Sequence, residues 1–110
     1  MGLFDEVIVS GDDFVCRCGD RLERLVTHDL LSCLRVYVFD GETFTLLYSD
    51  PPDDVSGYAV PASNVEYVVH PYNFEVVLAS ACSNGHEIRW QLTWKDGKLT
   101  DIKQSYRLSV

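Results

Sequence analysis

The chain is poor in positive charge. Nine Lys and Arg stand against 17 Asp and Glu, for a formal net charge of -8. Binding to nucleic acid through phosphate neutralisation needs the opposite sign, so that class is excluded. No apolar run approaches the roughly 18 residues that a membrane span needs. The opening Met1-Gly2-Leu3-Phe4-Asp5-Glu6 has neither the basic start nor the apolar stretch of a secretion signal. Glu6 also stands where a myristoylation motif wants Ser or Thr. Phosphate-binding Gly-rich loops, calcium-loop spacing and a Gly-x-Ser-x-Gly elbow are all missing. Without a secretion signal, the four cysteines are not expected to form a disulfide framework. A cytoplasmic location with no membrane contact is the expectation.

What is present is a chain of 110 residues, which the length prior reads as one domain, 1–110. Hydrophobic residues make up 46% and aromatics 12%, too apolar for a disordered chain. Tyr, Phe and Trp fall in short runs with Val, Ile and Thr, which suits a pleated, half-buried surface. The negative charge is placed unevenly. Residues 1–54 hold 12 acids against four Arg, whereas residues 55–110 balance five acids with five bases. Basic surfaces are therefore the expected partners, unless the acids serve solubility alone.

Along the chain, strands are expected at 3–9, 34–39, 43–48, 65–70, 74–83, 86–94 and 98–108, with a short extended piece at 14–16. Leu22, Leu25, Val26 and Leu30 fit helical spacing, while Leu22, Arg24 and Val26 fit an extended segment. We read a strand followed by a loop there. A helix over 22–31 would instead give an α+β fold. Asp40-Gly41, Asn84-Gly85 and Asp96-Gly97 read as hairpin turns, for which Gly supplies positive φ at no steric cost. Asp50-Pro51-Pro52-Asp53-Asp54 cannot sit in a regular ladder and predicts an exposed acidic loop. The clearest strand is 86–94, where Ile88, Trp90, Leu92 and Trp94 alternate with polar residues. Leu99 and Ile102 are out of phase, which predicts a bulge between them. The expected fold is all-β, a twisted antiparallel sheet or small sandwich of about seven strands.

Chemistry is sparse. Cys16-x-Cys18-Gly19 with His28 and Cys33 is the candidate zinc set, because zinc takes four Cys or His ligands in a tetrahedron. The first pair is one residue shorter than a Cys-x-x-Cys knuckle, and the alternative is free cysteines acting as small buried residues. Cys82 falls on the apolar face of its strand and reads as core. His86 follows a turn and reads as exposed, and His70 lies at a strand end. A cysteine nucleophile needs a histidine base beside it, and nothing in the sequence places one. The acid pairs Asp5/Glu6, Asp12/Asp13 and Asp53/Asp54 read as solvated loop charges rather than an acid–base catalyst. Trp90 and Trp94 share one face, but with Ile88 and Leu92 between them they read as core rather than as a stacking platform for bases. No enzyme is expected.

Short motifs carry a resemblance. Met1-Gly2-Leu3-Phe4-Asp5, Cys16-Arg17-Cys18-Gly19, Thr27-His28-Asp29-Leu30, Cys33-Leu34-Arg35-Val36-Tyr37, Asp40-Gly41 and Trp94-Lys95-Asp96-Gly97-Lys98-Leu99 are similar to segments of small phage and prophage proteins. Those proteins begin Met-Gly-Met-Phe-Asp. The resemblance implies a phage or mobile-element origin and a small β fold. The functional expectation is an acidic binding protein that blocks a host nucleic-acid-handling or defence complex, in the manner of an anti-CRISPR. Asp12, Asp13, Asp20, Glu42, Asp50, Asp53 and Asp54 would face its basic partner. The alternative is a small zinc-stabilised structural or regulatory module. A free strand edge would let two copies pair as a homodimer.

Overall fold

Each run of alternating apolar residues becomes a strand. The computed structural model describes residues 4–9, 13–30, 34–55 and 58–106. Within them lie β1 (Asp5–Ile8), β2 (Arg24–Thr27), β3 (Val36–Phe39), β4 (Phe44–Leu47), β5 (Val65–Val69), β6 (Phe74–Ala81), β7 (Glu87–Lys95) and β8 (Lys98–Tyr106). The fold is all-β. The single helical element among the described residues is a 3-10 turn at Ala62–Asn64. The alternative helix over 22–31 does not form where the chain is described. Arg24–Thr27 is extended and turns Leu25 and Thr27 inward.

All eight strands join one sheet in the order β5-β4-β3-β1-β2-β6-β7-β8. It is not purely antiparallel, as the sequence suggested, because β1 and β3 run parallel. β1 is a central strand with a neighbour on each side, and Val7 and Ile8, on its opposite faces, are both buried. β2 supplies one side as an antiparallel partner. The chain then crosses to the other side, where the Glu6 N–H reaches the Arg35 carbonyl at 2.9 Å.

The three Gly turns differ in kind. Asp96-Gly97 is a two-residue hairpin with φ of 54° and 81°, as a type I′ turn requires. Asp40-Gly41 opens a longer loop between the paired Phe39 and Phe44. There the Asp40 carboxylate accepts the N–H groups of Glu42 and Thr43 at 2.9 and 2.8 Å. Asn84-Gly85 lies in a loop closed by the Cys82 N–H on the His86 carbonyl at 3.0 Å. The expected bulge is present: Thr93 faces Asp101 while Trp94 faces Leu99, which leaves Thr100 over.

The sheet curls. β3 and β7 are four places apart in the order, which in a flat sheet would separate them by roughly 19 Å. Instead the Phe39 and Trp94 rings meet edge to face at 5.9 Å. Phe44 on β4 comes within 5.6 Å of the same Trp94. Phe14 fills the space between the two ends, 6.3 Å from Phe39 and 5.5 Å from Trp90. Trp90 and Trp94 are thus buried in the core. The segment that carries Phe14 is anchored by this packing, and it also carries the first cysteines.

Candidate metal centre

Residues 14–22 form a small hairpin against the open end of the curl. Val15 bridges Arg21, and the Leu22 N–H reaches the Phe14 carbonyl at 2.9 Å. Its tip is a tight turn. The Cys16 N–H bonds the Asp20 carbonyl, and the Gly19 N–H bonds the Cys16 carbonyl, both at 2.8 Å. Gly19 takes φ of 98°, a conformation that costs other residues strain. Cys16 points inward and is buried, while Cys18 is exposed.

The turn between β6 and β7 meets this tip. A Gly at its fourth position again reverses the chain, and the Gly85 N–H bonds the Cys82 carbonyl at 2.9 Å. This brings Cys82 and His86 onto one side. The four ligand atoms of Cys16, Cys18, Cys82 and His86 all lie within 4.8 Å of one another. Cys18 Sγ is 3.6 Å from Cys82 Sγ. His86 Nδ1 is 3.3 Å from Cys82 Sγ and 3.5 Å from Cys16 Sγ. A zinc ion with Zn–S bonds of about 2.3 Å sets its sulfurs roughly 3.8 Å apart at the corners of a tetrahedron. The Cys18–Cys82 spacing of 3.6 Å lies near that figure, and every other spacing in the set is within 4.8 Å. Three thiols and one imidazole leave no open coordination position, which is the form of a structural site rather than a hydrolytic one.

Neighbouring groups hold the cluster. The Asp20 carboxylate accepts the Ser83 N–H at 2.8 Å and also the Ser83 hydroxyl, so it staples one turn to the other. Those two bonds hold the Asp20 carboxyl below its ordinary range. The Tyr106 hydroxyl accepts the Arg17 N–H at 2.7 Å and the Gln104 amide at 3.1 Å, and it lies 3.9 Å from Cys16 Sγ. The Arg17 guanidinium stacks 4.4 Å over the Tyr106 ring, and the same ring meets His86 edge-on. β8 thus supports the site from outside, as outer groups do in metal centres.

The thiols themselves are split. Burial pushes the Cys16 thiol up. The Asp20 N–H, and after it the Cys16 thiol, pull Cys18 down to about 6. Without metal, Cys16 therefore holds its proton more tightly than Cys18 does. A cation placed among the four atoms would favour the deprotonated form of all three thiols.

Two of the four expected zinc ligands, Cys16 and Cys18, are in the cluster. His28 is not: it is exposed and its ring packs edge-on against Phe4 at 6.4 Å. Cys33 and Asp12 lie outside the described residues. The cluster members missed were Cys82, read as core, and His86, read as exposed. Cys82 is indeed buried at 6% exposure, but its sulfur faces the cluster. His86 is half-buried with Nδ1 turned inward. A signal existed: Cys82-x-x-Gly85-His86 is a second ligand pair around a glycine turn, matching Cys16-x-Cys18-Gly19.

The acids expected to face a partner differ in setting. Asp13, Glu42, Asp50, Asp53 and Asp54 are exposed, whereas Asp20 is committed to Ser83. Asp50 and Asp53 border a groove of about 340 Å³ that also holds Phe4, Arg24 and Arg35. Arg24 pairs with Glu6 and donates to the carbonyls of Pro52 and Asp53 at 3.1 Å, so the acidic loop is pinned to a cation. No helix among the described residues is long and apolar enough to cross a membrane. No known protein family, curated protein or solved structure matches the chain.

Proposed function

We propose that this chain is a small β module stabilised by a structural zinc ion bound to Cys16, Cys18, Cys82 and His86. The observation that carries this reading is the convergence of four soft ligand atoms from two glycine turns far apart in sequence. A cysteine–histidine catalyst would need one accessible thiol beside the imidazole. The exposed Cys18 meets that condition, within 4.8 Å of a His86 ring nitrogen, but two further thiols converge on the same point, a set that suits a metal ion better than a two-residue catalyst. When bound, zinc would supply charge neutralisation for the thiolates and a fixed link between the turns, with no reaction of its own. Tyr106, Arg17 and Asp20 hold the ligands in place. Metal analysis of the purified protein tests the reading, with cobalt substitution as a spectroscopic check. Stoichiometric zinc and a tetrahedral thiolate–cobalt spectrum are expected; a metal-free, folded protein that takes up no cobalt overturns it.

A second reading concerns the exposed acids. Asp13, Glu42, Asp50, Asp53 and Asp54 present carboxylates to solvent, which suits binding of a phage-type inhibitor to a basic host complex. On this reading the zinc module is the scaffold and the acids are the working groups. Charge reversal of Asp50, Asp53 and Asp54 should abolish salt-sensitive capture of such a partner. Unchanged capture removes this reading and leaves the zinc module standing.

A further inference from the structure

We infer that Cys18 and Cys82 form a thiol pair that a hydroperoxide converts to a disulfide, and that this opens the metal centre. The release of the ion rests on the zinc reading above; the disulfide does not.

The geometry separates the three thiols by role. Cys18 is exposed at the tip of its turn, whereas Cys16 and Cys82 are buried. A small oxidant therefore reaches Cys18 first. Cys82 Sγ lies 3.6 Å away, within reach of a small side-chain rotation. Both residues sit in turns rather than mid-strand, so sulfur can move against sulfur without breaking a ladder. Cys16 is the weaker resolving group. Both buried thiols face His86, but the Tyr106 hydroxyl lies 3.9 Å from the Cys16 sulfur and holds it in place.

The chemistry balances in two steps. The Cys18 sulfur attacks the terminal oxygen of the hydroperoxide. An S–O bond forms, the O–O bond breaks, and the rest of the oxidant leaves as an alcohol, or as water from hydrogen peroxide. The Cys82 sulfur then attacks the Cys18 sulfenic acid. An S–S bond forms, the S–O bond breaks, and the oxygen leaves as water; in each step the leaving oxygen takes its proton from the attacking thiol, or from solvent where zinc already holds that sulfur as thiolate. Two thiols lose two electrons, and the hydroperoxide gains them. Two of the four ligand sulfurs are then tied to each other. Cys16 and His86 alone make a poor zinc site, so the ion leaves.

The sequence makes the test clean. Trypsin cleaves after Arg17, Arg21, Arg35 and Arg89, which puts the four cysteines in four separate peptides. The protein as isolated is treated with hydrogen peroxide, blocked with an alkylating agent and mapped without reduction, while a chromophoric chelator follows zinc. The expected product links peptide 18–21 to peptide 36–89, with one zinc released per disulfide and recovery on adding a thiol reductant. In Cys82→Ser the same treatment should leave Cys18 as a sulfenic acid that a cyclic dione traps. The proposal is overturned if peptide 18–21 stays unlinked or joins peptide 1–17, or if zinc leaves with no disulfide formed. If the isolated protein holds no zinc, the metal reading fails, and the peptide map still decides the thiol pair.

Discussion

Removing the metal should cost this fold a large share of its stability, and the amount follows from where the ligands lie. The centre ties together two turns 64 residues apart in sequence. Closing a loop of that length in the unfolded chain costs about 4 kcal/mol by the chain-entropy expression for a cross-link. A metal clip removes that cost from folding as a disulfide does. Small domains are stable by only about 5–15 kcal/mol, so loss of the clip leaves a marginal protein. At roughly 4–8 °C per kcal/mol, the melting temperature should fall by roughly 15–30 °C. Calorimetry of the protein before and after treatment with a strong chelator measures this, with zinc added back as the control. A shift of a few degrees, with zinc shown to be gone, would mean that the curled core holds the two turns together unaided. It would refute the structural role.

Three further outcomes test separate parts of the description. His86→Ala should abolish stoichiometric zinc while His28→Ala leaves it intact, and atomic absorption on the two purified variants separates the two ligand sets. In the metal-free protein, Cys18 should alkylate with a midpoint near pH 6 rather than 9.0, as read by mass spectrometry of peptide 18–21. Its folded value is depressed, so the stabilisation its thiolate gives the metal-free fold is complete above 9.0 and vanishes as pH falls through about 6. Trp94→Ala should destabilise the protein by about 3–5 kcal/mol in urea melts, because it empties the joint between the two ends of the sheet.

Sequence alone determined what depends on neighbours along the chain. Period-two alternation placed Ile88, Trp90, Leu92 and Trp94 on a buried face, and all four are buried. Asp96-Gly97 set a two-residue turn because positive φ at both positions is a local demand. The phase slip between Leu99 and Ile102 marked the bulge at Thr100. Cys16 and Cys18 were legible as candidate ligands because two thiols beside a glycine turn is a local pattern. What needed the tertiary structure was every relation across the sheet. The parallel pairing of β1 with β3 depends on where the chain lies after crossing β1, which no periodicity encodes. The second half of the site depends on the antiparallel pairing of β2 with β6, which sets the hairpin before β2 beside the turn after β6. Before that contact exists, Cys82 is one more small apolar residue on a buried face and His86 one more polar residue after a turn. Their chemistry comes from a meeting 64 residues long in the chain and 3.6 Å long in space.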